Sequence, residues 1–314
     1  MAQTITERTP LWRLRIFLFS KWNGLARRRM LDWVPDVPFL KIQYFLKLGR
    51  RLNLKHPRLY NEKAQWIKLY DRQPIYNIFV DKLAVRDYVK QQVGEQYLIP
   101  EIARYQRPWD IQWDKLPQHY VLKCTHGSSC NIIQDGSLTP AQLEQKKARL
   151  PGWMASNWFY LSREWPYLAV KPRILVEQFL EGPNGSVPLD YKFLCFDGEP
   201  KYVIVDVDRY KDGGDGHRRN FYDLNWVRQD MLNRHPGYDG EVPRPTCLEE
   251  MIGVARALSQ GIPHIRIDLY EVAGRVYFGE MTFFHGFGME VFRPRSFEEH
   301  LGDLIRLPGE AKHP

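Results

Sequence analysis

The sequence predicts an α+β fold, on three features: two pairs of short apolar runs that read as hairpins, a helical segment between them, and no regular alternation of βαβ units. The first pair is Tyr191–Phe196 and Tyr202–Val207, joined by Asp197-Gly198-Glu199-Pro200, a turn composition. The second pair is His264–Glu271 and Arg275–Thr282, turning at Ala273-Gly274. Between them, Cys247–Gln260 has helical spacing and stops at Gly261.

The remaining elements follow from period and punctuation. Residues 11–31 place Trp, Leu, Ile and Phe on one side of a helix and Arg on the other, and Asp36 to Pro38 breaks that pattern. Asn61–Tyr70 and Asp81–Gln92 read as helices separated by Pro74, with Asp81 suited to cap the second. His119–Cys124 is a short apolar strand that leads into a small-residue loop, Thr125–Asn131, and a second short strand, Ile132–Gln134. Thr139–Ala148 is helical, with Pro140 in its first turn. Arg173–Leu180 is rich in strand formers. These elements divide into a basic helical extension (1–60), an N-terminal subdomain (61–118), a small subdomain (119–181) and a C-terminal subdomain (182–314).

Charge is unevenly placed. Residues 1–60 carry 13 Lys and Arg against three acids, whereas the whole chain is +8, which leaves the other 254 residues at −2. The basic, aromatic-rich extension suits an anionic surface such as the inner membrane leaflet, or equally a solvated helix face docked on the body. A nucleic-acid partner is not expected. No run approaches the roughly 18–20 apolar residues of a membrane span, and Ile16–Phe19 is too short for a signal-peptide core. The expectation is a cytoplasmic chain with peripheral membrane contact. Cys124, Cys130, Cys195 and Cys247 form no CxxC pair and no zinc spacing, so they read as reduced packing residues.

Three constellations carry chemistry. In the last hairpin, Arg266, Asp268 and Tyr270 share one face, and Phe278, Glu280 and Thr282 share a face of the other arm. A turn with an odd number of loop residues, Ala273-Gly274-Arg275, sets Asp268 opposite Glu280. Two facing carboxylates repel unless a cation lies between them, and Mg²⁺ is held by a few protein oxygens plus substrate phosphates. Arg266 beside them suits a phosphate. Alone, the same hairpin reads as a surface turn with its acids in water. The second constellation is Lys123 leading into Thr125, His126, Gly127, Ser128 and Ser129. Small residues let backbone N–H groups approach phosphate oxygens and Lys supplies the charge, although a Lys before a turn is common. The third is Glu177 with Phe179 and Leu180, followed by Asp190: a strand edge for a base and a carboxylate for a ribose, or a sheet-edge acid in a salt bridge.

Taken in this order, the segments resemble the ATP-grasp superfamily. Asp81-Lys82-Leu83 matches its first lysine motif, Lys123 and the Gly/Ser loop its second, and Glu177 its hinge glutamate. Arg266-x-Asp268 matches its Arg-x-Asp, and Glu280-x-Thr282 its metal-binding Glu-x-Asn, with Thr in the Asn place. Tyr60–Trp66, Asp81–Val89, Val121–Ile133, Asp190–Asp208, Arg219–Trp226 and Gly279–Gly288 are similar to the TupA-like branch, associated with teichuronopeptide and other envelope polysaccharides. Where that branch is richer in Gly, this loop reads Gly-Ser-Ser-Cys-Asn, and the final stretch reads Phe-Phe-His-Gly-Phe-Gly.

The resemblance implies two α+β subdomains clasping ATP and an ADP-forming carboxylate–amine ligase that passes through an acylphosphate. It implies Lys82 and Lys123 on the α/β-phosphates, the Thr125–Ser129 loop on the β/γ-phosphates, and Glu177, Phe179 and Leu180 on adenine. Asp190 falls to the ribose, Asp268, Glu280 and Thr282 to Mg²⁺, and Arg266 to the transferring phosphoryl group. Arg209 or Arg219 stands in for a further phosphate-binding lysine. The substrates implied are an amino acid or peptide and a uronic-acid-type sugar of a polysaccharide precursor. Trp153–Tyr167 offers aromatic faces for a sugar and Arg163 a partner for its carboxylate, or else these residues are packing. Asp206-Val207-Asp208 keeps a glycosyltransferase open, and a non-catalytic nucleotide or sugar binder is the third reading.

Overall fold

The computed structural model describes residues 9–182, 185–208, 216–233 and 235–309. Two antiparallel sheets organise it. The larger has five strands in the order β7-β6-β5-β8-β9, and the smaller has four in the order β1-β4-β2-β3. The large sheet consists of β5 (Asp190–Phe196), β6 (Glu199–Val207), β7 (Arg218–Asp223), β8 (His264–Val272) and β9 (Arg275–Thr282). The small one consists of β1 (Glu101–Tyr105), β2 (Tyr120–Cys124), β3 (Asn131–Gln134) and β4 (Ile174–Gln178). The expected α+β architecture is therefore present.

Three cores hold these layers. The largest lies between the five-stranded sheet and α8 (Leu248–Ser259), α3 (Tyr60–Tyr70) and α5 (Val85–Gln92). A second, under the small sheet, joins Leu122, Ile132, Ile174 and Val176 to Leu150 of α6 (Pro140–Met154). The third seats α1 (Pro10–Arg27) and α2 (Asp36–Leu48) on Leu161 of α7 (Trp158–Ser162) and on Met289.

Several elements differ from the sequence expectation for local reasons. Asp36 to Pro38 does not merely end a helix. It begins α2, with Pro38 in the first turn, where a missing N–H costs nothing. Asp81–Gln92 is not one helix: α4 (Tyr76–Val80) precedes it and α5 begins at Val85. Asp81 instead closes the intervening turn, its Oδ1 accepting from the Leu83 and Ala84 amides at 2.9 and 3.3 Å. β1 and β7 have weak apolar patterns and are made by their neighbours, whereas α9 (Arg295–Leu304) is amphipathic. β1 falls within residues 61–118 yet pairs with β4 of the small sheet.

The last hairpin is the main correction. Asp268 does face Glu280, but not through an odd turn. Val272 pairs with Arg275 across a two-residue turn, and the register slips by one between Asp268 and Leu269. Gly279 is the extra residue. This β-bulge restores the Asp268–Glu280 pairing and places Phe278 opposite Leu269 in the core, off the face that Glu280 and Thr282 share. A side chain at Gly279 has no room: an added Cβ would lie 2.9 Å from the Tyr270 ring and 3.0 Å from the Asp268 carbonyl oxygen.

One face of the large sheet carries charge through its centre. Lys192 stands opposite Asp268. Its ammonium contacts the Asp190 carboxylate and lies 3.3 Å from Asp206 and 3.9 Å from Asp268. Arg219 holds Asp206 through two bonds of 2.6 and 3.0 Å. Burial opposes ionisation of Asp206, but His217, Lys192 and Arg219 outweigh it and hold the carboxyl well below its ordinary range.

Two predictions follow from this packing. Gly279→Ala should lower the unfolding free energy by about 1–3 kcal/mol through overpacking. Gly253→Ala, on the exposed side of α8 with open space around it, should raise it by about 0.5–1 kcal/mol. Urea denaturation of both variants reads the contrast. Lys192→Met strands buried carboxylates and should cost about 3–5 kcal/mol, and a loss under 1 kcal/mol by the same method would contradict the role given to this cation.

Candidate active site

The two sheets face each other across a cleft of about 350 Å³. Lys82, Lys123, Glu177, Asp190, Asp268 and Glu280 all line it, from the β2–β4 side and the β5–β8–β9 side. So do Gly127, Ser128 and Ser129 of the loop between β2 and β3, and Phe179 and Leu180 beyond β4. Residues spread over some 200 positions of sequence thus share one cavity.

On the small-sheet side the charges are paired. Lys123 Nζ reaches the Glu177 carboxylate at 2.6 Å, and Arg86 reaches its other oxygen at 2.7 Å. Lys123 neighbours Leu175 across the β2–β4 ladder, which brings its head within reach of Glu177, two residues further on and on the same face. Arg86 went unnoticed in the sequence. It stands four residues after Lys82 in a stretch that reads as helical in the sequence, a spacing that could have suggested it. Lys82 is anchored by its backbone N–H to Thr125 O at 3.2 Å. Its ammonium donates to Gly127 O at 2.7 Å and lies 3.7 Å from Glu280. It therefore bridges the loop and the far sheet.

The loop splits in two. Gly127, Ser128 and Ser129 face the cleft, whereas Thr125 is fully buried and His126 turns inward, its Nε2 donating to Trp153 O at 3.1 Å. Burial lowers the His126 pKa, so the ring is neutral and packs as part of the small subdomain. The side chains of Thr125 and His126 do not line the cleft.

On the large-sheet side, Arg266 grips both oxygens of Asp268 at 2.6 and 2.7 Å. The same guanidinium reaches Glu280 at 3.1 Å and Thr282 Oγ1 at 3.2 Å, and that hydroxyl donates to Glu280 at 3.1 Å. Burial pushes the Asp268 carboxyl up to about 6, with Asp190 and Glu280 adding to the rise and Arg266 and Lys192 opposing it. Removal from water, and not want of a cationic partner, dominates this rise. Two carboxylates and a hydroxyl that converge on one point are hard oxygen donors, the chemistry that suits Mg²⁺ completed by phosphate oxygens. Among the described residues no group of three or more His, Cys, Asp or Glu is arranged to hold a metal. A cation here would need those further oxygens from substrate.

A second cavity, of about 530 Å³, adjoins the first and shares Lys82, Ser128, Ser129 and Glu280 with it. Lys192, His217, Arg219, Arg266, Trp158 and Tyr167 are among its walls. Arg219 belongs to this side, not to the first cleft, and Arg209 lies outside the described residues. Trp158 and Tyr167, from the aromatic stretch 153–167, stand in its wall and also pack on the main core. Arg163 does not take part. It is buried against the N-terminal helices, donating to Leu31 O and Val34 O at 2.9 and 3.0 Å. Asp206 of the Asp-x-Asp pair is also committed inward, to Arg219 and Lys192, on an antiparallel strand.

The model of TupA-like ATP-grasp proteins matches residues 62–306. No curated protein matches the chain. Among solved structures it is similar to D-alanine–D-alanine ligase from Bacillus anthracis complexed with ATP, at 13% identity and a TM-score of 0.38, covering 71% of this chain and 55% of that one. It is also similar to the L-amino acid ligase from Bacillus licheniformis, at 14% identity and a TM-score of 0.40, covering 80% and 55%. A third is the ATP-grasp ligase PsnB complexed with minimal precursor, Mg and ADP, at 12% identity and a TM-score of 0.39, covering 77% and 63%. The chain thus spans between half and two thirds of the length of these proteins. With the family match extending over most of the sequence, this chain belongs to the TupA-like ATP-grasp family.

Proposed function

We propose that this protein is an ADP-forming carboxylate–amine ligase. On this reading ATP phosphorylates a carboxylate, and an amine displaces phosphate from the acylphosphate. The observation that supports it is the meeting, in one cleft, of two lysines, a small-residue loop, Glu177 and the facing acids Asp268 and Glu280. The adjoining cavity leaves room for an acceptor beside the same Glu280.

The roles follow from position. Lys82 and Lys123 take the α/β-phosphates, and Gly127, Ser128 and Ser129 cover the β/γ end. The strand edge at Phe179–Leu180 holds the base, Glu177 orients it, and Asp190 is placed for the ribose. Asp268, Glu280 and Thr282 hold Mg²⁺, which supplies charge neutralisation at the phosphates when bound. Arg266 keeps the two acids oriented and offers the remaining positive charge to the phosphoryl group. In such a site the protein contributes mainly position and electrostatics.

The substrates we assign are an amino acid or peptide and a carboxyl-bearing sugar of an envelope polysaccharide precursor. Arg219, Arg266 and Lys192, with Asp206 among them, line the acceptor side, and Trp158 and Tyr167 stand in the same wall. Incubation with ATP, Mg²⁺ and pools of amino acids and uronic-acid sugars should release ADP and phosphate only when both pools are present. Release of a nucleoside diphosphate from a nucleotide-sugar instead would identify a glycosyltransferase.

Two substitutions test the residues. Glu280→Gln should abolish ADP formation while the unfolding midpoint stays within a few degrees of wild type, and wild-type turnover would remove the metal assignment. Lys123→Ala should weaken ATP binding by about 1.5–3 kcal/mol, the worth of one charged contact. Titration calorimetry reads that loss directly, and unchanged affinity would count against the assignment.

A further inference from the structure

α1 carries a broader apolar arc than its docked side uses. Its inner face docks on the body: Trp22 packs on Phe39 with ring centroids 5.2 Å apart, Ala26 is buried, and Arg15 Nε donates to Leu46 O at 3.1 Å. On its outer side Leu11, Leu14, Phe17 and Leu18 remain 73, 54, 55 and 43% exposed. At 100° per residue Leu11, Leu14, Leu18 and Leu25 fall within a sector of about 60°, a continuous stripe along the helix. Just beyond the helix, Met30 and Trp33 are 57 and 80% exposed. A helix that only braces a globular body needs one apolar face.

The charge around that stripe has one sign. Between Thr9 and Leu31 there are six Lys and Arg and no acid. Arg13, Lys21, Arg27 and Arg28 are exposed. The next acid, Asp32, is tied to Arg29 at 2.8 Å. A second copy laid on this face would bring like charge against like charge. An anionic lipid surface meets both features, with headgroups for the cations and the acyl boundary for Leu, Phe and Trp. None of the described helices is long and apolar enough to cross a membrane, so the contact is one that lies in the interface.

We propose that the outer face of α1, from Leu11 to Leu25 with Met30 and Trp33, docks this protein on an anionic lipid bilayer. The hairpin of α1 and α2 has its inner side against Trp158 and Phe287, and both of these line the acceptor-side cavity. Docking through α1 thus brings that cavity to the part of the protein that lies at the lipid. An acceptor borne on a lipid fits this placement. That last step rests on the ligase reading, whereas the docking surface does not.

The test is sedimentation of the full-length protein with vesicles of phosphatidylcholine alone and of phosphatidylcholine mixed with phosphatidylglycerol. Binding to the mixed vesicles should exceed binding to the neutral ones by at least about tenfold and fall as salt rises. The triple variant Leu14→Glu, Phe17→Glu, Leu18→Glu changes only exposed side chains, and the pair Arg27→Glu, Arg28→Glu removes charge without touching the stripe. Each should lose about tenfold or more in lipid binding while keeping wild-type ATP affinity, which also reports folding. Equal binding to both vesicle types, or binding to neither, would overturn the proposal. So would a concentration-dependent dimer abolished by the triple variant in a protein that ignores lipid. A wild-type protein that forms ADP but ignores both vesicle types would remove the docking surface and leave the ligase reading standing. Lipid binding with no ADP formation in any substrate pool would do the reverse.

Discussion

The site depends on one constraint: two carboxylates held face to face on neighbouring strands. Asp268 and Glu280 occupy directly opposed positions of the β8–β9 ladder, where like charges destabilise pairing. Arg266 resolves the conflict within the protein. It is anchored two residues from Asp268 on the same strand and forks across to Glu280 and Thr282. This is a charge-assisted network whose members satisfy one another in a largely dry setting. Burial nonetheless pushes the Asp268 carboxyl up to about 6, against the pull of Arg266 and Lys192. A site of this kind gains from a cation that arrives with its own phosphate oxygens.

The rest of the sheet answers the same electrostatic demand. Lys192 is opposite Asp268 and Arg219 is opposite Asp206, while Asp190 faces Asp206 acid to acid with the Lys192 ammonium in reach of both. Such a row is costly to desolvate and pays in uniqueness of register. A slip of one residue at β5 would set Lys192 in the apolar layer beneath and expose Phe193 to the cleft. On the small sheet the pairing is simpler. Glu177 takes Lys123 and Arg86, one from a strand and one from a helix. Lys82 then spans the gap, bonded to Gly127 on one side and close to Glu280 on the other. The cleft is therefore closed by charge on both walls and crossed by a single flexible amine.

Much of this was legible in the sequence because it is carried by local patterns. Period-two spacing located both hairpins, and the order of Lys82, Lys123, Glu177 and the Arg266-to-Thr282 set suggested a common cleft. The facing of Asp268 and Glu280 was also anticipated, but its cause was not: a bulge at Gly279 replaces the odd turn, and nothing in the alternation of Val276, Phe278 and Glu280 announces it. The other omissions share a physical origin. Arg86 and Lys192 are ordinary charged residues in their own segments and become central only through partners far along the chain. His126, which looks like part of a phosphate loop, is drawn inward by a carbonyl of α6. Arg163 is claimed by carbonyls at the end of the N-terminal extension. Long-range hydrogen bonds of this kind leave no periodic trace.

The acceptor side shows a different way of building precision. The segment His285–Gly288 passes through left-handed backbone at Gly286, Phe287 and Gly288, which is strained for Phe287. It is held from α3 by neutral and cationic side chains that bond its backbone. Gln65 donates to Phe287 O and Gly288 O at 2.9 and 2.8 Å, Lys68 donates to Phe287 O at 2.8 Å, and Asn61 exchanges two bonds with the Glu290 backbone at 2.7 and 2.9 Å. Asn61, Gln65 and Lys68 recur at intervals of four and three, so one helix face presents them together. This accounts for polar residues buried along Tyr60–Lys68, a stretch whose chemistry is otherwise unexplained by the nucleotide cleft. Burial lowers the Lys68 ammonium to about 8, against the pull of Glu164. The first cleft is thus organised by ion pairs between side chains, and the segment beside the second cavity by side chains that fix main chain. The second design fixes the path of the loop at its main chain, which is how backbone as strained as that of Phe287 is held in place.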